Sequence, residues 1–297
     1  MAAAEAVGVT APAKLNLYLH VTGRRADGYH RLDSLIVFAG VGDRLTVSPA
    51  DDLSLELTGP FAMALADDSD NLVLRAARLL ARAGGIDAQA AIRLEKNLPV
   101  AAGLGGGSAD AAATLRALIK LWDVAVADDD LAALALDLGA DVPVCRAGRA
   151  AFVGGIGESL EPPPWLPPVD AVLVNPGVAL STAAVFGELG GIFSEADRFS
   201  EAPADANALA ALLAARSNDL EAPARRLCPA VDQALAALAA APHCLLARMS
   251  GSGATCFGLF AAAAHGAAAA HGIAAGHPEW WVAPAPLLYD PVGDAWQ

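Results

Sequence analysis

The sequence predicts a two-domain α+β protein, and three observations carry that expectation. At 297 residues the chain exceeds the size at which one hydrophobic core usually stops growing. Residues 161–168, EPPPWLPP, crowd together prolines that remove backbone donors and favour an extended, semi-rigid connection, so they divide residues 1–160 from residues 169–297. On both sides of that divide, stretches with the two-residue period of strands are interleaved with stretches spaced as helices.

In the first half, Leu15, Leu17, Leu19 and Val21 fall on one face of an alternating run and Lys14, Asn16, Tyr18 and His20 on the other, the pattern of a half-buried strand. Lys14 and Asn16 then project from the same side of the sheet, about 6 to 7 Å apart along the strand. Further strands are predicted at residues 35–38, 44–48 and 53–57, divided by glycine and aspartate turns. Asp70 and Asn71 can cap a helix holding Leu72, Ala76, Leu79 and Leu80. A strand over 91–96 leads into a glycine-rich turn and then a helix whose Leu115, Leu118, Ile119 and Trp122 share one face. The next helix opens at Asp128, Asp129 and Asp130, carries Leu131, Leu134, Ala135 and Leu138, and stops at Gly139, a residue suited to the left-handed position after a helix. Asp141 lies just past that end, where an anionic side chain is unfavourable, so compensation by a cation is expected.

The second half is predicted to hold a strand over 171–174, helices near 206–215 and 230–240, and a strand, glycine turn and strand over 245–260. Residues 190–203 read as a mobile surface loop. The alanine tracts form no internal repeat.

Composition narrows the function classes. Hydrophobic residues make up 55% of the chain but aromatics only 5%, and much of the excess is alanine, so a mean hydropathy of +0.43 does not imply a membrane protein. The longest stretch without a charge, residues 249–278, is mostly alanine, glycine, serine and histidine and reads as a packed strand and helix. Residues 1–10 lack a basic segment followed by an apolar run, so no secretory signal is read and a cytoplasmic location is expected. Cys145, Cys228, Cys244 and Cys256 form no CxxC pair and are expected to be reduced core residues. A net charge of −14 argues against a nucleic-acid partner, which needs a basic face. An acidic protein that binds phosphates must therefore use placed backbone amides and a few selected cations. The pattern fixes neither an oligomeric state nor a metal ligand.

The strongest local signal is PVAAGLGGGS at residues 99–108, between the 91–96 strand and the helix through Leu115. Pro99, Val100, Ala101 and Ala102 open the loop, Gly103, Leu104, Gly105, Gly106 and Gly107 make its turn, and Ser108 and Ala109 enter the helix. Glycines let the backbone approach a ligand, and the helix mouth presents unpaired amides and a positive dipole end to anions, which makes a phosphate cradle. It is not the GxxxxGK[ST] loop, since no lysine follows the glycines, nor a GxGxxG turn in a βαβ unit.

This loop resembles the phosphate loop of the galactokinase, homoserine kinase, mevalonate kinase and phosphomevalonate kinase superfamily. APAKLNLYL around Lys14 and MSGSGATCFG at 249–258 are similar to that superfamily's other motifs, in the right order and over nearly the whole chain. RADGYHRLDS at 25–34 and GADVPVC at 139–145 resemble the branch that phosphorylates a cytidine-diphosphate-linked sugar alcohol in the non-mevalonate isoprenoid pathway. The resemblance implies a small-molecule kinase fold, with an S5-like N-terminal domain, a ferredoxin-like C-terminal domain and the active site between them.

It also implies ATP as phosphoryl donor, with Mg²⁺ accompanying it; no protein carboxylate is assigned to that cation, and Ser108 is the one candidate to name. Asp141 matches the family's general base and Lys14 the cation that holds it ionised and stabilises the moving phosphoryl. Asn16, Tyr29 and His30 match positions that contact the cytidylylated substrate, with Phe186 as a second aromatic across the base and Thr182 a hydroxyl nearby. By the same analogy Asn71 and Lys96 line the adenine pocket. From the residues alone, Lys14 could be a solvated strand lysine, Asp141 a loop aspartate, Tyr29 a packed turn residue, His30 a surface histidine, Asn71 a helix cap and Lys96 an exposed strand end. The turn at 250–253 either brings the second domain close to the phosphate loop or is an ordinary hairpin. Val100, Ala101 and Ala102 stand where relatives often have more glycine and should stiffen the loop. A sibling kinase for another small alcohol and a non-catalytic nucleotide sensor are the competing readings.

Overall fold

The computed structural model describes residues 5–65 and 71–292; the expected cap Asp70 and the first four residues of the N-terminal reading lie outside them. Two long strands, β1 (Val7–Arg24) and β2 (His30–Ser48), form an antiparallel ribbon paired from Val7↔Val47 to Arg24↔His30. The glycines read as turns do not break β2. A Cβ on Gly42 would stand 2.3 Å from the Ala11 carbonyl oxygen, and one on Gly40 would stand 2.9 Å from Pro286 Cδ, so these glycines mark close approach of neighbouring chain. β1 is not half-buried either. Residues 11–21 are all buried, because the polar face finds protein partners instead of water, Lys14 in Asp141, Asn16 in Ser34, Tyr18 in Asp33, and His20 in the backbone of Glu195 and Ser217 from the second half of the chain.

β3 (Ser54–Thr58), α1 (Leu72–Gly84) and β4 (Ala91–Glu95) follow, with β3 parallel to β4 and β4 antiparallel to β2. Asn71 caps α1 by accepting from the Val73 amide at 3.0 Å, and Gly85 ends the helix in the left-handed region. α2 (Gly106–Trp122) lies under this sheet and buries Leu115 and Leu118 against Leu80, Ile92 and Leu94. α3 (Asp128–Leu138) ends at Gly139, whose φ of 155° and ψ of 158° lie in a positive-φ region open to glycine but outside the predicted left-handed helical cap. The chain then starts a helix that the sequence did not reveal, α4 (Val142–Ala147), too short to display a helical period. β5 (Ala151–Gly155) pairs with β2 and β6 (Ser159–Glu161).

Beyond the proline-rich segment come β7 (Asp170–Asn175), α5 (Thr182–Gly187), α6 (Ala206–Ala214), α7 (Glu221–Leu227), α8 (Ala230–Ala240), β8 (Leu246–Met249), β9 (Cys256–Phe260), α9 (Ala263–Gly276) and β10 (Trp281–Leu288). Strand order β10-β7-β9-β8 is antiparallel throughout. β10 also pairs Leu287 with Ala39 and Leu288 with Phe38 of β2, so one sheet runs through both halves. Residues 190–203 contain no helix or strand but are tied down. Ser194 donates to the Val21 carbonyl at 3.0 Å, the Asp197 amide to Asp33 at 3.0 Å, and Arg198 pairs with buried Asp33 at 2.6 Å. All four cysteines are free thiols, and no helix among the described residues is long and apolar enough to cross a membrane.

Candidate active site

The glycine-rich loop is held from below by a buried ionic cluster. Asp43 of β2 accepts from the amides of Asn97 at 2.6 Å and Leu98 at 2.9 Å, fixing where β4 turns into the loop. Lys96 reaches both Asp43 and Asp110, the latter at 2.6 Å. Lys96 is only 2% exposed, so the exposed-strand-end reading is corrected: its ammonium neutralises two carboxylates under α2. Burial opposes the Lys96 charge, yet the two carboxylates outweigh it and raise its pKa. Burial also pushes Asp110 up to about 7, with Lys96 pulling it back and Asp43 adding to the rise.

Above this cluster the loop passes through left-handed conformations at Ala101 (φ 51°), Gly103 (φ 75°) and Gly105 (φ 62°). Two of these are also points of contact. A Cβ on Gly103 would stand 2.3 Å from the Ser250 carbonyl oxygen, and one on Gly105 would stand 2.5 Å from Lys14 Cγ. The loop is thereby clamped on both sides. Lys14 N donates to Leu104 O at 2.9 Å, Ser250 Oγ to Gly103 O at 3.0 Å and Thr255 N to Ala102 O at 3.1 Å. The 250–253 turn therefore makes the close approach to the loop, and Asn218 fixes it by donating to Met249 O at 2.9 Å and Gly251 O at 2.8 Å. No side chain caps the start of α2, so its first amides are left for an external acceptor.

Lys14 lies across this opening. Its ammonium donates to Asn16 Oδ1 at 2.7 Å and pairs with Asp141 Oδ2 at 3.1 Å. Asn16 is oriented in turn by donating to Ser34 Oγ at 2.8 Å. The Lys14 side chain is 5% exposed and that of Asp141 38%, so a buried cation is paired with a carboxylate facing the cleft. Asp141 does lie past the end of α3, but it also stands at the start of α4, where the helix dipole favours its charge, and its side chain makes no capping bond. Gly157 backs this segment, since a Cβ there would stand 2.1 Å from the Ala140 carbonyl oxygen.

A cavity of about 370 Å³ is lined by Lys14, Asn16, Lys96, Asp141, the loop from Pro99, and Ser252. It shares Leu32, Ala140, Ile156, Thr182 and Phe186 with a second, of about 900 Å³, lined also by Tyr29, His30, Leu189 and Phe193. In this second space Tyr29 is 59% exposed and His30 stacks on Phe186 at 4.7 Å and 21°. Burial, and then the charge of Arg24, lower the His30 pKa. Thr182 opens α5 and shares a 2.8 Å hydrogen bond with Ser252. Asn71 lines neither cavity, whereas its neighbour Leu72 lines the first. Sequence reasoning missed Ser34, Asp43 and Asp110, and reached Ser252 only as part of the 250–253 turn. Asp110 left a signal, a lone acid amid alanines that the helical period turns inward.

Matches to known proteins define the family. Residues 71–149 match the GHMP kinases N terminal domain and residues 198–277 the GHMP kinases C terminal domain. The chain belongs to the GHMP kinase family and has its two-domain α+β fold. It is 59% identical over 280 residues to a 4-diphosphocytidyl-2-C-methyl-D-erythritol kinase of Paramagnetospirillum magneticum, covering 94% of this chain and 98% of that one. A solved 4-(cytidine 5'-diphospho)-2C-methyl-D-erythritol kinase is 38% identical, with a TM-score of 0.76 over 95% of this chain and 99% of that one. A homoserine kinase of Cytophaga hutchinsonii, at 19% identity, TM-score 0.69 and coverage of 95% and 97%, shares the fold. The chain is thus an enzyme, a kinase of this family.

Proposed function

We propose that this kinase transfers the terminal phosphoryl group of ATP to the 2-hydroxyl of 4-diphosphocytidyl-2-C-methyl-D-erythritol in the non-mevalonate isoprenoid pathway. The observation that carries the mechanism is the pairing of Lys14 with Asp141 at 3.1 Å in the cavity between the glycine-rich loop and the aromatic pocket.

The loop amides at the mouth of α2 would take the donor's phosphates, as their lack of a side-chain cap supports. Lys14, held by Asn16 and Asp141, is positioned to meet charge on the phosphoryl in flight. Asp141 accepts the proton of the attacking hydroxyl, with the Lys14 ammonium 3.1 Å from its Oδ2. Because the second cavity shares Leu32, Ala140, Ile156, Thr182 and Phe186 with the first, an acceptor seated among Tyr29, His30, Phe186 and Thr182 can extend its alcohol towards Asp141. His30, with its pKa lowered, is a neutral imidazole at neutral pH and can accept from or donate to a pyrimidine edge. Lys96 acts on the donor side by holding the loop's root through Asp43, and Asn71 by capping the helix whose Leu72 borders the cavity.

Mg²⁺ bound with ATP would neutralise charge between the phosphates. Among the described residues no cluster of three or more His, Cys, Asp or Glu could cage a metal, and Ser108 lines the cavity, so the cation would be held through the phosphates with Ser108 as the protein oxygen at hand. The division into residues 1–160 and 169–297 would set the loop, Lys14 and Asp141 on one side of this cleft, and Thr182 and Phe186 on the other.

Asp141→Asn tests the assignment. ATP binding, measured by titration calorimetry, should be retained, while turnover of the cytidylylated alcohol falls by about two to four orders of magnitude. Near-normal turnover would remove Asp141 from the chemistry. Homoserine or mevalonate phosphorylated in preference to the cytidylylated alcohol would favour a sibling activity.

A further inference from the structure

The proposed substrate carries a diphosphate, and its charge has to be met in a chain of net charge −14. The cations that line the first cavity are already committed, Lys14 to Asp141 and Lys96 to Asp43 and Asp110. The second cavity has two charged lining residues, Arg24 and Asp27. Asp27 is engaged by Arg25 at 2.8 Å and accepts from the Tyr29 amide at 3.2 Å. Arg24, by contrast, makes one long contact, Nε to the Gly28 carbonyl at 3.4 Å, and has no carboxylate partner among the described residues.

Its place in the fold aims it at the acceptor. Arg24 is directly opposite His30 in the β1–β2 register, so the two side chains leave the same face of the ribbon side by side. His30 in turn stacks on Phe186. From these placements, and resting on the reading of this cavity as the acceptor pocket, we infer that Arg24 is a specificity-determining residue that binds the diphosphate of the cytidylylated substrate. The terminal guanidinium nitrogens, which have no acceptor among the described residues, present the planar fork that pairs with phosphate oxygens. The lowering of the His30 pKa, to which burial contributes most and the Arg24 charge next, is consistent with that placement of the guanidinium beside the ring.

The test compares cytidine, CMP and CDP as ligands of the full chain, in the wild type, Arg24→Gln and Arg24→Lys, by titration calorimetry at two salt concentrations. The wild type should bind CDP more tightly than cytidine. Arg24→Gln should weaken CDP by about ten- to a hundredfold, the worth of a hydrogen bond to a charged group, and leave cytidine within about twofold. Arg24→Lys should recover part of the loss, and CDP binding should depend less on salt in Arg24→Gln. In turnover, the KM for the cytidylylated alcohol should rise while kcat and the KM for ATP stay within about twofold, the mark of uniform substrate binding. An unchanged CDP-to-cytidine ratio in Arg24→Gln, an equal loss of both ligands, or a rise confined to the KM for ATP would overturn the inference and leave the acceptor pocket standing. A wild type that binds none of the three ligands would overturn the acceptor-pocket reading itself, and this inference with it.

Discussion

Asp110 brings a carboxyl into the apolar first turns of α2, and its Oδ1 has no hydrogen-bond partner among the described residues. An oxygen in that position is cheaper to bury in a neutral acid than in a carboxylate. With its pKa raised to about 7 from an ordinary value of 3.8, folded Asp110 holds its proton over a range where the unfolded chain releases it. Its contribution to stability is therefore fully present below about pH 4 and is lost as pH rises towards 7, with a slope of at most about 1.4 kcal/mol per pH unit. The Lys96 pKa is raised above the ordinary lysine value, so Lys96 stays charged through this window and adds no slope. Asp110→Asn should remove that fall, so that thermal melts of wild type and variant converge as pH rises from 5 to 8; parallel curves would sink the idea. At this scale the sequence reveals the residues that sit in motifs, Lys14, Asp141 and the glycines. It leaves Asp43 and Ser34 unread, because their roles depend on partners that only folding brings near, Asn97 and Leu98 for one and Asn16 for the other.

Among the elements, the glycine-rich loop and α2 behave as one device, and their glycines do different work. Ala101 already occupies the left-handed region at φ 51°, so this loop tolerates that backbone without glycine. What Gly105 supplies beyond its φ of 62° is room for Lys14, whose Cγ would stand 2.5 Å from an added Cβ. Gly105→Ala should cost about 1 to 3 kcal/mol as Lys14 is driven out of place. Because a shift of about 1 Å in a reacting group can cost a hundredfold, turnover should fall by about that much. Gly107 lies inside α2, and its added Cβ would meet only Leu72 Cδ1 at 3.4 Å. Gly107→Ala should therefore raise stability, by up to about 1 kcal/mol. Opposite signs in chemical denaturation would confirm the distinction, and equal losses would refute it. Most long elements were legible from their periods. α4 and α5, at six residues each, were not, since neither spans enough turns to repeat. β10 was hidden because Pro284 and Pro286 argue against a strand, yet both lie at positions paired with β7.

Over the whole molecule, the proline-rich segment suggests two independent bodies, but the hydrogen bonds tie the halves together. β10 pairs with β7 in one half and with β2 in the other. Arg248, 7% exposed, bonds Leu17 O of β1 at 2.8 Å and Leu213 O of α6 at 2.9 Å. One apolar cluster contains Leu35 and Val37 of β2 together with Leu173 of β7, Phe257 of β9 and Leu287 of β10. None of this could be read from local pattern, because each link joins residues distant along the chain. A protein built this way should unfold in a single transition, since exposing either half strips apolar cover and sheet partners from the other. Leu287, 6% exposed at the joint, is the place to test it. Leu287→Ala should cost about 2 to 4 kcal/mol. If the halves are coupled, hydrogen exchange under increasing denaturant should show peptides of β1 and of β9 losing protection together, at a midpoint lowered equally for both. Two separated midpoints, with only the C-terminal one moved by the substitution, would mean that the halves are independent and that the cleft between them is held by the substrates and not by the fold.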